Sequence, residues 1–220
     1  MDQNSRKLKA ARAAVEFIKP GMALGVGTGS TVNLFIDEIG RFRGDLAAVV
    51  ASSRATEARL RAHGFKVVEL DQVGDLDLYV DGADEANKHF HLVKGGGGAL
   101  TREKVLAAAS RKFVCIIDGS KWVATLGKFP LPVEVIPLAR SYVARQFVKL
   151  RGQPVWRENF VTDNGHQILD VHNLQITNPP ELESRLNQIP GIVTVGLFAN
   201  RPADVILMAD DSGVKRLDRH

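Results

Sequence analysis

The chain has 220 residues, and its 45% hydrophobic content is enough for a buried core in one large domain or two smaller ones. The formal net charge is +4, but basic and acidic residues are mixed, and no basic–aromatic pattern typical of nucleic-acid binding is present. No apolar run approaches membrane-spanning length, and the polar N-terminus lacks the apolar segment of a signal peptide. We therefore expect a cytoplasmic protein that binds an anionic small molecule rather than nucleic acid or a membrane.

The residues that most often bind metals show no metal-binding pattern. Cys115 is the single cysteine and sits in an apolar run, so we expect it to fill core space on a strand. The histidines do not have the spacing of a metal site, and a structural or solvated role is expected for all of them. We expect neither a metal nor a cofactor.

The first predicted elements form a strand–loop–helix unit. Apolar spacing predicts an amphipathic helix over residues 5–19, a short buried strand over 22–26 and a second helix over 32–39. The loop before the second helix carries three hydroxyl side chains: Thr28, Ser30 and Thr31. Because first-turn N–H groups lack partners within a helix, this loop can bind a phosphate.

The loop has two other interpretations. Ser30 or Thr31 can simply cap the helix, which stabilises it by about 1 kcal/mol. A nucleotide is a poorer fit, because the loop has Ser where the dinucleotide fingerprint requires its third glycine, and it lacks the Gly-Lys-Ser/Thr ending of an ATP-binding loop. A small phosphate group suits the hydroxyls better than NAD or ATP.

Strands and helices then alternate. Strands are predicted over residues 46–51, 65–70, 76–80 and 112–117, and helices over 54–63 and 100–109. Such alternation favours a mostly parallel sheet with helices on both faces.

The most informative stretch begins where the strand over 76–80 ends. Asp81, Asp84 and Glu85 follow that strand, a common position for catalytic groups, and Lys94 comes next, before four consecutive glycines. Asp-Gly by itself is usually only a turn, but a turn needs one or two glycines rather than four. Glu103 lies in the first turns of the helix after the glycines. This spacing predicts an active site with acids, a base, a lysine and an anion-binding loop.

The pattern changes after residue 128. Strands over 133–136, 155–161, 167–171 and 193–198 and helices over 141–150 and 180–188 follow the order β-α-β-β-α-β of a ferredoxin-like unit. A strand over 205–208 then returns to the first sheet. We expect a Rossmann-like α/β domain of residues 1–128 and 202–220, with an inserted ferredoxin-like α+β domain of residues 129–201.

Six motifs, in order along nearly the whole chain, carry a resemblance to one enzyme family. They are Gly25-Val-Gly-Thr-Gly-Ser-Thr31, Asp81-Gly-Ala-Asp-Glu85, Lys94-Gly-Gly-Gly-Gly-Ala-Leu-Thr-Arg-Glu103, Asp118-Gly-Ser-Lys121, Gly127-Lys-Phe-Pro-Leu-Pro-Val-Glu-Val135 and Gly191-Ile-Val-Thr-Val-Gly-Leu-Phe198. With these motifs the chain resembles type A ribose-5-phosphate isomerase. The resemblance implies a homodimeric aldose–ketose isomerase that interconverts D-ribose 5-phosphate and D-ribulose 5-phosphate in the non-oxidative pentose phosphate pathway.

The resemblance also implies roles for individual residues. The implied substrate contacts are Thr28, Gly29, Ser30, Thr31, Asp81, Gly82, Ala83, Asp84, Lys94, Gly95, Gly96, Gly97 and Lys121. Moving a carbonyl from C1 to C2 through an enediolate needs a base and donors to the oxyanion, which suits Glu103 and Lys94 respectively. Asp81 or Asp84 can move hydroxyl protons and assist ring opening, and the sequence does not divide those roles.

The sequence leaves two other functions and a second phosphate site open. A non-catalytic sugar-phosphate sensor would keep the phosphate loop but would ordinarily add a DNA-binding segment, and we expect none. A coenzyme A transferase would need a glutamate nucleophile and an adenine-sized site. Within the isomerase reading, the glycine loop rather than the hydroxyls could hold the phosphate.

Overall fold

The computed structural model describes residues 2–219, so Met1 and His220, which the predicted first domain includes, lie outside the described residues. The helices are α1 (Gln3–Val15), α2 (Ser30–Ile39), α3 (Arg54–Ala62), α4 (Leu100–Ala108), α5 (Arg140–Lys149) and α6 (Pro179–Leu186). The strands are β1 (Ala23–Val26), β2 (Ala48–Ala51), β3 (Leu78–Asp81), β4 (Glu85–Ala86), β5 (Leu92–Val93), β6 (Phe113–Asp118), β7 (Leu131–Val135), β8 (Gln153–Trp156), β9 (Gln167–His172), β10 (Ile192–Val195), β11 (Leu197–Phe198), β12 (Val205–Asp210) and β13 (Gly213–Asp218).

The described chain divides into two compact units. The first contains residues up to 83, residues 102–122 and residues from 203 onward, and the second contains residues 84–101 and 123–202. The domain boundaries expected from the sequence, at residues 128 and 201, stay a prediction.

The first unit is built on a six-stranded sheet with the order β13-β12-β6-β3-β1-β2. Every neighbouring pair is parallel except β12 with β13. All residues of β1, β3 and β6 are buried, as expected for parallel strands whose two faces are both covered. Their apolar side chains form one core with α1 and α2, including Leu24, Val80, Ile116, Ala14 and Phe35. The expected mostly parallel α/β sheet is confirmed.

The strand predicted over residues 65–70 is wrong. In the structure this stretch contributes a single bridge, between Val67 and Val49 of the edge strand β2. The chain then turns into a short 3₁₀ helix at Leu70–Gln72, which ends the pairing. Phe65 and Val67 are both buried, so the apolar residues of this stretch pack in the core without forming a further strand of the sheet.

The second unit contains a four-stranded antiparallel sheet with the order β10-β7-β9-β8. Helix α5 connects β7 to β8, a hairpin joins β8 to β9, and α6 leads to β10. This is the β-α-β-β-α-β arrangement of a ferredoxin-like unit, with its strands in the order 4-1-3-2. Its core lies between the sheet and the helices and includes Val133, Phe147, Leu169 and Leu186.

The single strand predicted over residues 193–198 is instead two strands in two sheets. Strand β10 pairs with β7, and after Gly196 strand β11 pairs with β5 in a small sheet with the order β11-β5-β4. The Gly196 N–H donates to the Pro132 carbonyl at 2.7 Å, and its carbonyl accepts from the Lys94 N–H at 2.9 Å. A Cβ at position 196 would overlap the Lys94 carbonyl oxygen, so only glycine lets the chain cross here. The crossing fixes the backbone of Lys94.

Candidate active site

The loops that carry the predicted site in the first unit follow three neighbouring parallel strands. Strands β1, β3 and β6 lie side by side, so their carboxyl ends meet at one edge of the sheet. Thr28 follows β1, Asp81 ends β3, and Lys121 lies in the short turn after β6. This edge is where open α/β sheets generally bind ligands.

Asp81 is fully buried and is held by several donors. One carboxylate oxygen accepts the Thr28 N–H at 3.0 Å and the Gly82 N–H at 2.7 Å, and the other accepts the Tyr79 hydroxyl. Its side chain is 0% exposed. A buried carboxylate with this many donors has a fixed orientation.

Tyr79 donates a hydrogen bond to Asp81, and its pKa also responds to the charge of Glu103. Burial raises the pKa of the Tyr79 phenol well above its ordinary value, and the negative charges of Asp81 and Glu103 raise it further. Tyr79 therefore stays a neutral donor to Asp81 at neutral pH. Glu103, on α4, is only 3% exposed, and its charge is one of the causes of the raised Tyr79 pKa. The sequence did not single out Tyr79, although both Asp81 and Glu103 act on its pKa.

The hydroxyls at the start of α2 do not cap it. Gly29 is the N-cap residue, and no side chain makes a capping hydrogen bond. The capping interpretation of Ser30 and Thr31 is therefore wrong. Ser30 is exposed and its hydroxyl accepts from Lys7 Nζ at 3.0 Å. Lys7 was missed by sequence reasoning, because it lies on α1 and nothing in its local sequence relates it to the loop.

Thr28 differs from its neighbours, because its hydroxyl faces other hydroxyls inside the first unit. Its Oγ1 lies 2.7 Å from Ser52 Oγ and 2.8 Å from Ser53 Oγ, and Thr56 Oγ1 donates to the Gly27 carbonyl at 2.7 Å. The Thr28 side chain therefore supports the loop, while its N–H holds Asp81.

The turn that carries Lys121 is organised by Asp118. Burial acts to raise the pKa of Asp118, but hydrogen bonds from the side chain and backbone of Ser120 outweigh it, and the net pKa is lowered. Gln3 of α1 donates to the other Asp118 oxygen at 3.3 Å. An ionised Asp118 therefore fixes the turn, and Lys121 is half-buried on it.

In the second unit, the structure brings Asp84 and the glycine loop together. Asp84 Oδ2 accepts the Gly96 N–H at 2.8 Å, and the Asp84 N–H donates to the Val93 carbonyl at 2.8 Å. Asp84 is half-buried, and Gly96 and Gly97 are exposed. Gly95 is buried beside them, whereas Gly82 and Ala83 of the first unit are half-buried.

Lys94, just before the loop, is 2% exposed. Its ammonium lies 5.5 Å from the centroid of the Phe198 ring, within the range of a cation–π contact. With its N–H held by Gly196, the lysine is fixed at both ends. A desolvated ammonium held in this way is a strong electrostatic partner for a developing oxyanion.

Glu85, the last acid of the Asp-Gly-Ala-Asp-Glu motif, has a structural role. Its carboxylate accepts the N–H groups of Gly127 and Phe129, both at 2.7 Å. It is 3% exposed and holds the loop before β7.

Residues 2–219 contain no group of three or more His, Cys, Asp or Glu side chains that could hold a metal ion. Over the same residues, no helix has the length and apolar character that crossing a membrane requires.

The first unit carries two buried carboxylates, Asp81 and Glu103, and the exposed N-terminus of α2 on a mostly parallel α/β sheet. Such groups are typical of an enzyme for acid–base chemistry on a small anionic substrate. A family model for ribose 5-phosphate isomerase A (phosphoriboisomerase A) matches residues 48–213. The chain belongs to this family, and it is an aldose–ketose isomerase of the pentose phosphate pathway that interconverts ribose 5-phosphate and ribulose 5-phosphate.

Solved structures agree with the family match. Ribose 5-phosphate isomerase A from Neisseria gonorrhoeae is 43% identical with a TM-score of 0.96, covering 99% of this chain and 97% of its own. The enzyme from Methanocaldococcus jannaschii is 39% identical with a TM-score of 0.93, covering 98% and 99% respectively. A D-ribose-5-phosphate isomerase in complex with phospho-erythronic acid is 35% identical with a TM-score of 0.94, and the match covers 100% of both chains.

Proposed function

We propose that the isomerisation runs through an enediolate, with Glu103 as the base that takes the C2 proton and returns it to C1. The observation that carries this proposal is the environment of Glu103, which is 3% exposed and whose charge helps to raise the pKa of Tyr79, the donor to Asp81. A carboxylate that is shielded from water and close to other charged groups is suited to reversible proton transfer.

Lys94 and the loop N–H groups stabilise the oxyanion in this proposal. Lys94 is buried, and its charge is therefore screened less than that of a surface lysine. Gly96 and Gly97 are exposed and have no Cβ, so a substrate oxygen can approach their backbone closely.

The two aspartates divide their work. Asp81 already accepts bonds from Tyr79, Thr28 and Gly82, so we assign it to a fixed negative charge that orients the substrate hydroxyls. Asp84 is half-buried and accepts the Gly96 N–H on one oxygen, which leaves acceptor capacity for a substrate hydroxyl. Asp84 is therefore our choice for moving hydroxyl protons and assisting ring opening.

The substrate phosphate is assigned to the N-terminus of α2. Ser30 and Thr31 are the first residues of that helix and are not used as caps, and Lys7 reaches Ser30. The α2 N-terminus thus offers a phosphate one cation, two hydroxyls and the positive end of the helix dipole, and we assign Lys121, on the turn after β6 at the same edge of the sheet, as a second cation.

A coupled assay tests the proposal as a whole. Wild-type protein should form ribulose 5-phosphate from ribose 5-phosphate, and a phosphorylated four-carbon sugar acid should compete with the substrate, because its carboxylate resembles the enediolate oxygens. Phospho-erythronic acid, present in the related structure described above, is the probe. Failure of this acid to compete, in an active enzyme, would contradict the enediolate geometry.

We also propose that the enzyme is a cytoplasmic homodimer, on the strength of the family resemblance. Size-exclusion chromatography with light scattering would test the dimer, since a mass near the 24.0 kDa of one chain would contradict it.

A further inference from the structure

An arginine that was not among the predicted site residues donates hydrogen bonds to the glycine loop. Arg157, just after β8, donates through Nη1 to the carbonyls of Gly95 at 3.3 Å and Gly96 at 3.2 Å. Its Nη2 also donates to the Gly95 carbonyl at 3.3 Å. All of these groups belong to the second unit.

Because the peptide group is planar, hydrogen bonds to the loop carbonyls also fix the directions of the Gly96 and Gly97 N–H groups. In a trans peptide the C=O of one residue and the N–H of the next point in opposite directions. Holding the Gly95 carbonyl therefore directs the Gly96 N–H away from Arg157, and that N–H is the one that donates to Asp84. Holding the Gly96 carbonyl directs the Gly97 N–H the same way, towards the side on which the loop presents donors.

Arg157 is itself locked in place. Its Nε and Nη2 donate to the two oxygens of Asp170 on β9, at 2.8 Å and 2.6 Å. Its guanidinium also lies 5.4 Å from the centroid of the Phe160 ring. The planar guanidinium of arginine can donate to a carboxylate on one side and to carbonyls on another at the same time, and the ammonium of lysine cannot.

Phe160 adds a second restraint on the same loop. A Cβ at Gly98 would overlap the Phe160 ring, so the ring lies directly against the loop backbone. One short segment of the β8–β9 connection thus supplies both an arginine on the loop carbonyls and an aromatic ring under its last glycine.

We propose that Arg157 is a positioning residue for the isomerisation, acting through the glycine loop on Asp84 and on the Gly97 N–H. Asp170 holds Arg157 in the required orientation, and Phe160 limits movement of the loop. This inference rests on the proposed roles of Asp84 and the loop. It assigns part of the catalytic geometry to the ferredoxin-like region, where the sequence showed no chemical motif.

The test compares Arg157→Ala with Arg140→Ala. Arg140 is a matched control: its guanidinium stacks 3.9 Å from the centroid of the Trp156 ring and donates to Gln167 on β9, and in the described chain it has no bond to the loop. Each of the two arginines contacts one aromatic ring and donates to one side-chain acceptor on β9. For Arg157 these are Phe160 and Asp170, and for Arg140 they are Trp156 and Gln167. Steady-state rates are measured per folded molecule, with the folded fraction taken from unfolding curves.

Removal of Arg157 should lower kcat about 10- to 100-fold with KM changed by about threefold or less, because a displacement of about 1 Å in a catalytic group costs up to about 10²-fold. Arg140→Ala should leave kcat within about twofold of wild type. Added guanidinium ion should restore part of kcat in Arg157→Ala, and amide hydrogen exchange at Gly96 and Gly97 should be faster in that variant only. Equal kcat values in the two variants, after correction for folding, would overturn the proposal.

Arg157→Lys keeps the experiment decisive if the alanine variant does not fold. Lysine retains the charge but cannot bind Asp170 and two carbonyls together, so kcat should still fall clearly below that of Arg140→Lys. Equal kcat in these two would reject a positioning role. Failure of the underlying mechanism has a different signature: Glu103→Gln would then retain normal turnover, whatever Arg157 does.

Discussion

The Asp81 carboxylate at the end of β3 and the glycine loop after β5 are held in place by different kinds of contact. The orientation of Asp81 is fixed by three donors from its own unit: Gly82 next to it, Tyr79 two positions away and Thr28 53 positions away. The loop offers backbone N–H groups instead, and it is fixed by a residue about 60 positions along the chain, since Arg157 is 62 residues from Gly95. Two of the three donors to Asp81 are therefore local and only Thr28 is distant, whereas the arginine that donates to the loop carbonyls is distant in sequence.

This difference determines how each region responds to mutation. For a carboxylate such as Glu103, replacing one functional atom should remove a chemical step and leave the fold intact. Around the loop, a change in a supporting residue should move backbone N–H donors, which side-chain substitutions other than proline leave in place. The following predictions separate the two cases, starting with the largest expected effect.

Glu103→Gln should lower turnover by on the order of 10²–10⁴ or more, because the amide keeps the size and hydrogen bonding of the side chain but cannot accept the C2 proton. The measurement is the coupled assay on protein shown to be folded.

Glu85→Gln is the matched control, because Glu85 and Glu103 are both 3% exposed glutamates. The Glu85 carboxylate accepts the N–H groups of Gly127 and Phe129, so its replacement should cost about 1–3 kcal/mol of unfolding free energy with turnover per folded molecule retained. Near-normal turnover in folded Glu103→Gln would dismiss Glu103 as the base.

Gly196→Ala addresses the loop region, with an expected fall in turnover of about 10- to 100-fold. The new methyl group would overlap the Lys94 carbonyl oxygen, so the backbone of Lys94 must shift, and overpacking should also destabilise the fold by about 1–3 kcal/mol. Gly44→Ala is the control, because a Cβ there meets no atom within 4 Å. Turnover equal in the two folded variants would show that Lys94 tolerates displacement.

The comparison also explains what the sequence could predict. The acids from the end of β3 onward, Lys94 and the hydroxyls at the start of α2 lie in short motifs whose residue types indicate their chemistry. The parallel sheet that brings the strand ends together follows from the alternation of strands and helices. Tyr79 and Lys7 were not found, because one resembles an ordinary core residue and the other a surface lysine on a helix. Arg157, Asp170 and Gly196 act through contacts between residues distant in sequence, and no local pattern marks such contacts.

Thr31→Ala should raise KM about tenfold with a small change in kcat, because a hydrogen bond to a charged group contributes about 1.5–3 kcal/mol. Inorganic phosphate should compete with the substrate in the wild type and compete less well in the variant. Thr125→Ala, at an exposed position in the second unit, should change neither constant. If KM is unchanged in Thr31→Ala, the phosphate lies elsewhere, and the glycine loop becomes the phosphate site.

The smallest expected effect is that of a metal chelator. Exhaustive chelation should leave the rate of isomerisation unchanged, because the proposed route uses only proton transfer and fixed charges.

In deuterated water the ketose formed by the wild type should carry deuterium at C1, since a proton held by Glu103 can exchange with solvent before its return, whereas a hydride moving directly between carbons cannot. Labelling should be partial, because Glu103 is buried and exchange competes with the return step. Arg157→Ala sharpens the comparison: if the loop only positions the oxyanion and Asp84, the return step slows while exchange does not, and the labelled fraction should rise. Activity that is lost on chelation and restored by added metal, together with product free of solvent deuterium, would replace proton transfer with a hydride shift and would leave the buried Glu103 without the role assigned to it.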